Sequence, residues 1–487
     1  MSAIKKNIVY NTLLSLSQVL FPLITFPYAS RILGPGGIGQ VSFIDSLTQY
    51  FILFASVGIP LYGVREIAKV KSDVVKMSKL FSELIFLHLI TTAVFVVAYI
   101  ILFFVLKDKE VNVKLFYIGI LTLLGNVFII EWFYQAQEKF DFITKRTLLL
   151  RLVFVCLLFA LVKSSNDVVI YYSLFFGLQL LNAIVNFTLS FKFHVRLMVS
   201  GLNLKQHIRP LLFLTACSVI GSVYVLLDNV ILGMISNKES VGFYSSAIKI
   251  TKVPISMINA LGLVLVPQMS EAFHQKDYEK VKYFVANSFH YVLALGVPLC
   301  MGIALTAPWT VRLISGNSFL PSIALVYTMA PIVIFIALNC VFFFQIFTPD
   351  NKEKSMLVIL VISAFISITM NLLLIPPFHH LGAAITTTAT EFSVLLMSMF
   401  FAHKFYGITI QMSNFFKPLL ASLLFIPIVY TVGHLHIAYG LQFIIAAAAC
   451  GIAYYVIQRF VFKDVIIIKM EHFALNPFIK KFKRSVQ

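Results

Sequence analysis

Apolar runs of roughly bilayer-spanning length follow one another along this chain almost from end to end, separated only by short polar gaps. About 20 residues cross the hydrocarbon core as a helix, and in lipid each backbone polar group must be satisfied within the structure itself. The runs read as fourteen transmembrane helices, near residues 8–30, 40–62, 80–106, 112–135, 146–162, 168–191, 209–235, 241–267, 285–306, 321–347, 355–375, 381–402, 415–433 and 438–458. No gap is large enough for a soluble domain. The chain has 487 residues, 60% hydrophobic and 12% charged, with a mean hydropathy of +0.92. That balance excludes a soluble protein of this size and gives an all-α polytopic membrane protein. Ile8–Ser30 is too long for the apolar part of a cleaved signal and is expected to stay as a span.

A net charge of +18 would suit nucleic acid, but the cations lie between apolar runs rather than in a patch, so no nucleic-acid partner is expected. Of the 38 Lys and Arg residues, 29 fall in the even-numbered gaps and the termini, including Arg65, Lys69, Lys71, Arg146, Arg151, Lys280 and the tail from Lys463. The positive-inside rule therefore places both termini in the cytoplasm. The basic tail from Lys463 reads first as a plain positive-inside anchor, with contact to anionic lipid head groups as the alternative. Cys156, Cys217, Cys300, Cys340 and Cys450 all sit inside apolar runs at no metal-ligand spacing and read as small core residues.

One span breaks the apolar rule. Val241–Pro267 carries Lys249 and Lys252 near its middle, three residues apart and so on one helix face. Lys249 lies about 12 Å from the outer end at 1.5 Å per residue. A lysine at the bilayer centre costs about 2.5–3.5 kcal/mol on insertion scales, so the pair is expected to face a watery cavity or an anion. Pro254 follows and is expected to kink the helix. A weak repeat relates Gly37–Ser42, opening span 2, to Ser240–Ser245, opening span 8. Six spans separate them, which gives a parallel repeat. The expected organisation is an N-terminal lobe of spans 1–6 (residues 1–207) and a C-terminal lobe of spans 7–12 (208–404). Spans 13–14 (405–462) and a basic cytoplasmic tail (463–487) follow. A site between lobes near the midplane would hold the lysines.

Several motifs occur together and in order: Phe21-Pro22 to Phe26-Pro27 with Arg31 to Gly34, Gly63-Val64-Arg65-Glu66-Ile67-Ala68, Glu131-Trp132 to Gln137-Glu138, and Asn371 to Ile375-Pro376 with Gly382-Ala383-Ala384. As a set they resemble the Wzx-type polysaccharide-repeat flippases of the multidrug/oligosaccharidyl-lipid/polysaccharide exporter superfamily, over essentially the whole chain. The resemblance implies two six-helix lobes in a V around a cationic cavity, with two C-terminal helices appended. It implies a transporter rather than an enzyme, in the bacterial cytoplasmic (inner) membrane. The cargo it implies is an undecaprenyl-pyrophosphate-linked oligosaccharide. Lipid surroundings, a monomeric state and a polysaccharide polymerase as further partner come with it.

Charge-assisted hydrogen bonds from Lys249, Lys252, Arg31 and Arg65 would replace the hydration of a pyrophosphate. Asp45 and Glu131 are counted with the cavity residues, and Asp45, Asp228 and Glu391 are the candidate carboxylates that compete for the lysines and permit release, the alternative for each being a structural ion pair between helices. No cofactor is expected beyond a coupling ion, Na+ or H+. The similar lipid II flippases have a sodium site on spans 7, 11 and 12, where this chain has Asp228, Asn371 and Thr387, with Glu391 a turn beyond. Ile375 stands where that motif has a second acid, so the coupling set differs. Two other classes stay open: a drug/cation antiporter, whose site would be acidic and aromatic, and a membrane polymerase or ligase, which needs a large outer loop with Arg and His. The outer loop near Ala307–Leu320 offers Arg312 and no His.

Overall fold

A computed structural model describes residues 3–106, 112–262, 266–409 and 411–468, and among these every regular element is a helix. The α-helices in order are α1 (Ala3–Ala55), α2 (Ile59–Val70), α3 (Val74–Leu106), α4 (Val113–Asn126), α5 (Glu131–Ala136), α6 (Phe140–Leu161), α7 (Val168–Ser190), α8 (Lys205–Ile235), α9 (Lys238–Gly262), α10 (Val266–His274), α11 (Tyr278–Ile314), α12 (Ser322–Met329), α13 (Ile332–Val341), α14 (Glu353–Tyr406), α15 (Ser413–Ser422), α16 (Phe425–Gly433) and α17 (Tyr439–Val456). Nine stretches among the described residues are long and apolar enough to cross a membrane. Helices α6, α8 and α9, the expected spans 5, 7 and 8, fall outside those nine. Lys107, Lys109, the side chains of Cys217 and Asn259, and the tail after Ile468 lie outside the described residues.

Two of the long helices are pairs joined end to end. In α1 the break is Gly34, at φ 67°, followed by Pro35. Glycine takes the left-handed region without strain, and proline suits the first turn of the next helix because its missing N–H is an orphan there anyway. In α14 the break is His379, at φ 48°, just after Pro376 and Pro377. The expected gaps between spans 1 and 2 and between spans 11 and 12 are thus single-residue breaks. Helix α9 continues through Pro254, so the expected kink does not interrupt it. Span 2 ends earlier than its apolar run, at Ala55, because Gly58 turns left-handed and starts α2.

The chain forms two compact units, residues 1–245 with 368–383 and residues 246–367 with 384–487. In the first unit the two repeat-like segments meet each other. A Cβ on Gly39 would lie 1.7 Å from the Lys238 carbonyl oxygen, and one on Gly242 would lie 2.0 Å from the Pro35 carbonyl oxygen. Each glycine therefore admits the backbone of the other helix. Gly242→Ala is expected to lower the thermal stability of the purified protein by about 1–3 kcal/mol through this overlap. Gly177→Ala, where nothing lies within 4 Å, should leave the melting temperature nearly unchanged, and equal melting of the two variants would refute the close approach.

A buried chain of polar groups fixes the start of α8 to the same unit. The Tyr62 hydroxyl lies 2.9 Å from His207 Nδ1, and His207 Nε2 lies 2.9 Å from Glu83 Oε2. Glu83 also accepts from the backbone N–H of Asn203 at 2.7 Å. Ser78 and Ser82 accept the N–H groups of Arg196 and Met198 at 3.1 and 2.8 Å. The segment between α7 and α8 is thereby tied along α3, so none of these buried polar atoms carries the penalty of a missing partner.

In the second unit α11 packs with α13, α15 and α17. Tyr454 donates to the Ala294 carbonyl at 2.5 Å, and His290 lies 2.6 Å from Asp464. Burial would raise the Asp464 carboxyl. The His290 hydrogen bond and charge and the amides of Ile467 and Ile466 prevail and hold it below the usual carboxylate range. A cavity of about 560 Å³ opens between α11, α16 and α17, lined by Tyr291, Leu299, Ile303, Phe425, Phe443 and Tyr454 among others.

Candidate functional site

Asp228 on α8 is 3% exposed. An isolated carboxylate at that depth would be very costly, and two side chains from other helices compensate it. Tyr244 of α9 donates its hydroxyl to Oδ2 at 2.8 Å, and Asn371 of α14 donates its amide to Oδ1 at 2.6 Å. Beside it Asn229 donates to Ser46 at 3.1 Å and accepts from Ser245 at 3.4 Å. All of these residues lie in the first unit. The arrangement is a polar island where α1, α8, α9 and α14 supply oxygen ligands and one negative charge, chemistry suited to a proton or a hard cation. Ile375 is fully buried nearby in sequence and offers no oxygen.

The expected coupling residues fall in both units. Asp228 and Asn371 are in contact, while Thr387 and Glu391 belong to the second unit. Glu391, 5% exposed, accepts from Asn339 of α13 at 3.1 Å. Thr387 is half-buried on the same helix. Among the described residues no group of three His, Cys, Asp or Glu side chains is placed to hold a metal ion.

Lys249 and Lys252 are both exposed in the second unit, along one stripe of α9 with Ser256. The opposite stripe, with Ala247, Ile250, Thr251 and Ile255, is buried, and Ser246 is bound to Ser315 of α11 at 2.6 Å. Packing thus fixes which face carries the charges. Arg31, just before the α1 break, is exposed in the first unit, and Asp45, past the break, is half-buried. Asp45 lies within electrostatic reach of Tyr99, Tyr171 and Tyr172. Arg65 is 57% exposed and paired with its neighbour Glu66 at 2.8 Å, over the Tyr62 ring at 5.4 Å.

Three residues with polar roles are ones the sequence reading passes over. Tyr244 is the partner of Asp228. Arg146 and Arg151 were expected in a basic gap, with span 5 beginning at residue 146. Helix α6 begins instead at Phe140 and spans 22 residues, so Arg146 lies inside it and Arg151 at its middle. Arg146 is 7% exposed and donates to Glu131 at 2.5 Å and to Asn186. Residues 140–145, Phe-Asp-Phe-Ile-Thr-Lys, are too polar to mark Arg146 as lying inside a helix, so no sequence signal singles it out.

Residues 4–273, more than half of the chain, match the family described as polysaccharide biosynthesis protein. The chain belongs to this family. A relative named putative O-antigen transporter, from Escherichia coli (strain K12), is 23% identical over 403 residues, covering 82% of this chain and 96% of that protein. Among solved structures, the lipid II flippase MurJ in an inward closed conformation matches with a TM-score of 0.74 at 14% identity, covering 94% of this chain and 100% of that one. An inward-facing multidrug resistance MATE family transporter of the MOP superfamily matches at 0.64 and 13% identity, covering 82% and 98%. The family assignment and the fold bear out the resemblance to Wzx-type flippases of this superfamily. These relatives are transporters and flippases rather than enzymes, and the family member here is a multi-pass helical membrane protein with the MurJ/MATE-like fold.

Proposed function

We propose that this protein moves a lipid-linked oligosaccharide, carried on undecaprenyl pyrophosphate, from the inner to the outer leaflet of a bacterial cytoplasmic membrane. The observation that carries the reading is the exposed Lys249–Lys252 stripe on a helix whose opposite face is buried. Two exposed cations on one helix face suit an anionic cargo, and a pyrophosphate supplies several strong acceptors. The names of the relatives, an O-antigen transporter and a lipid II flippase, support the same cargo class. The cavity lined by Leu299, Ile303 and Phe425 has the apolar character an isoprenoid chain requires.

In this reading the lobes 1–207 and 208–404 alternate in access, both termini are cytoplasmic, and the protein acts as a monomer. Asp228 couples the cycle to a sodium or proton gradient, gaining the ion in one state and releasing it in the other. A competing acid would assist release of the phosphate, as Asp45 or Glu391 could. In cells lacking the protein, mass spectrometry of undecaprenyl-linked lipids is expected to show an accumulated lipid-linked oligosaccharide that the wild-type chain clears. No accumulation, with altered sensitivity to cationic drugs instead, would contradict the flippase and favour a drug antiporter.

A further inference from the structure

The three helices that hold Asp228 meet a second time, at a pair of histidines. Helix α14 breaks at His379, and His379 and His380 bond the turn between α8 and α9. His379 Nδ1 lies 3.0 Å from the hydroxyl of Ser236, just past the end of α8. His380 Nδ1 lies 3.2 Å from the hydroxyl of Ser240, in the first turn of α9. The Phe243 ring packs against His380 with centroids 5.3 Å apart. His379 is exposed, His380 half-buried and Ser240 buried. At 1.5 Å per residue, Ser240 stands about 6 Å along α9 from Tyr244, and Ser236 about 12 Å along α8 from Asp228. Tyr244 donates to Asp228 at 2.8 Å, and Asn371, on the first half of α14, donates to its other oxygen at 2.6 Å. All of these residues belong to the first unit. The other charged side chains described at these helix ends are Lys238 and Glu239 in the first turn of α9, and Arg31 just before the α1 break.

Histidine is the side chain whose charge ordinarily changes between about pH 5 and 8. A serine hydroxyl donates to a neutral ring nitrogen and accepts from a protonated one, so each imidazole keeps its contact in both states. A second proton on the pair would meet the charge of the first, so the two rings titrate together. We propose that His379 and His380 are the proton entry for Asp228: the pair takes a proton from the outer side, and Asp228 receives it. This deepens the flippase reading, rests on it for the role of Asp228 and for which side is outer, and narrows the coupling ion to a proton. In the transfer an imidazolium N–H bond breaks, water carries the proton past Tyr244, and an O–H bond forms on the Asp228 carboxylate. The ring returns to neutral and the acid loses its charge. A sodium ion on the same route would meet a positive imidazolium at the entrance.

The test follows Asp228 directly and uses no cargo. Full-length protein is placed in sealed vesicles with the His379 side facing out, and the outside is acidified rapidly from about pH 8 to about pH 5.5, across the imidazole range. Protonation of Asp228 is read as the infrared carbonyl band of a carboxylic acid that is missing in Asp228→Asn. In the double variant His379→Gln, His380→Gln the band is expected to reach its wild-type amplitude about a hundredfold more slowly, the low end of what a positioned proton-transferring side chain contributes. Glutamine keeps hydrogen-bonding capacity toward the serines and carries no proton. His380→Gln alone is expected to slow the band less, and serves if the double variant does not fold. A wild-type rate in both variants overturns the entry role. So does a band that loses amplitude at an unchanged rate, which is a structural effect on Asp228. A wild-type protein with no such band overturns it as well and leaves sodium as the coupling ion. Leaflet transfer of cargo is measured apart: transfer with unchanged proton kinetics in the variants removes the histidine entry alone, and histidine-dependent kinetics without transfer removes the flippase reading alone.

Discussion

Replacing Lys249 and Lys252 together by alanine is expected to abolish export while the protein stays folded in the membrane. Both side chains lie on the exposed stripe of α9, and the packing of that helix rests on Ala247, Ile250, Thr251 and Ile255 on the other side. Alanine removes two charges at about 2.5–3.5 kcal/mol each from an apolar setting, so insertion should improve if anything. A charge-assisted hydrogen bond contributes about 1.5–3 kcal/mol, and losing two should lower export at least a hundredfold. Export is read as surface polysaccharide at matched membrane abundance. Each single variant should lose about tenfold or more, and Lys→Arg at either position should retain much of the activity. Normal export by the double alanine variant would remove the lysines from the transport path.

Asp228→Asn is expected to abolish the response of transport to a sodium or proton gradient. The carboxylate is the one negative charge in its contact with Tyr244 and Asn371. Asparagine keeps the size and one acceptor oxygen but cannot bind a proton or supply a full charge to a cation. The amide would still accept from Tyr244 or Asn371 but not from both, so the stability cost should stay near 1–2 kcal/mol. The variant should therefore be present at near-normal abundance and move cargo only down its own gradient. Tyr244→Phe, which removes one donor and no charge, should shift the ion dependence without erasing it. A full response to both gradients in Asp228→Asn would make Asp228 a structural acid.

Much of this was legible before the structure. Long apolar runs dictate helices because lipid offers the backbone no partner, and the gap at Gly34–Pro35 follows from the opposite conformational habits of those two residues. The lysine stripe was legible because three-residue spacing fixes a shared face. The burial pattern of α9 then confirms which side is packed. Arg146 and Arg151 were not legible, because a charge at the edge of an apolar run reads equally as the end of the span or as its first buried turns. Their contacts decide between the two: Arg146 with Glu131 and Asn186, and Arg151 with Ser17, 134 positions earlier in the chain. Tyr244 escaped for a similar reason. A tyrosine in an apolar run looks the same whether it anchors an interface or donates to an acid sixteen residues earlier. Asp228 and Asn371, expected on neighbouring spans 7 and 11, are hydrogen-bonded to each other, and Glu391 accepts from Asn339. That pairing depends on which faces of α13 and α14 meet, and periodicity alone does not set it.

The most direct test of the account is a leaflet assay on the purified protein in sealed vesicles. A labelled undecaprenyl-pyrophosphate-linked oligosaccharide is placed in one leaflet, and its exposure to a membrane-impermeant sugar-modifying reagent in the other is followed over time. The account predicts that wild-type protein raises the exposed fraction well above protein-free vesicles, faster under an ion gradient, and that the Lys249→Ala, Lys252→Ala variant does not. An exposed fraction that stays at the protein-free level with folded wild-type protein, with and without a gradient, would contradict it.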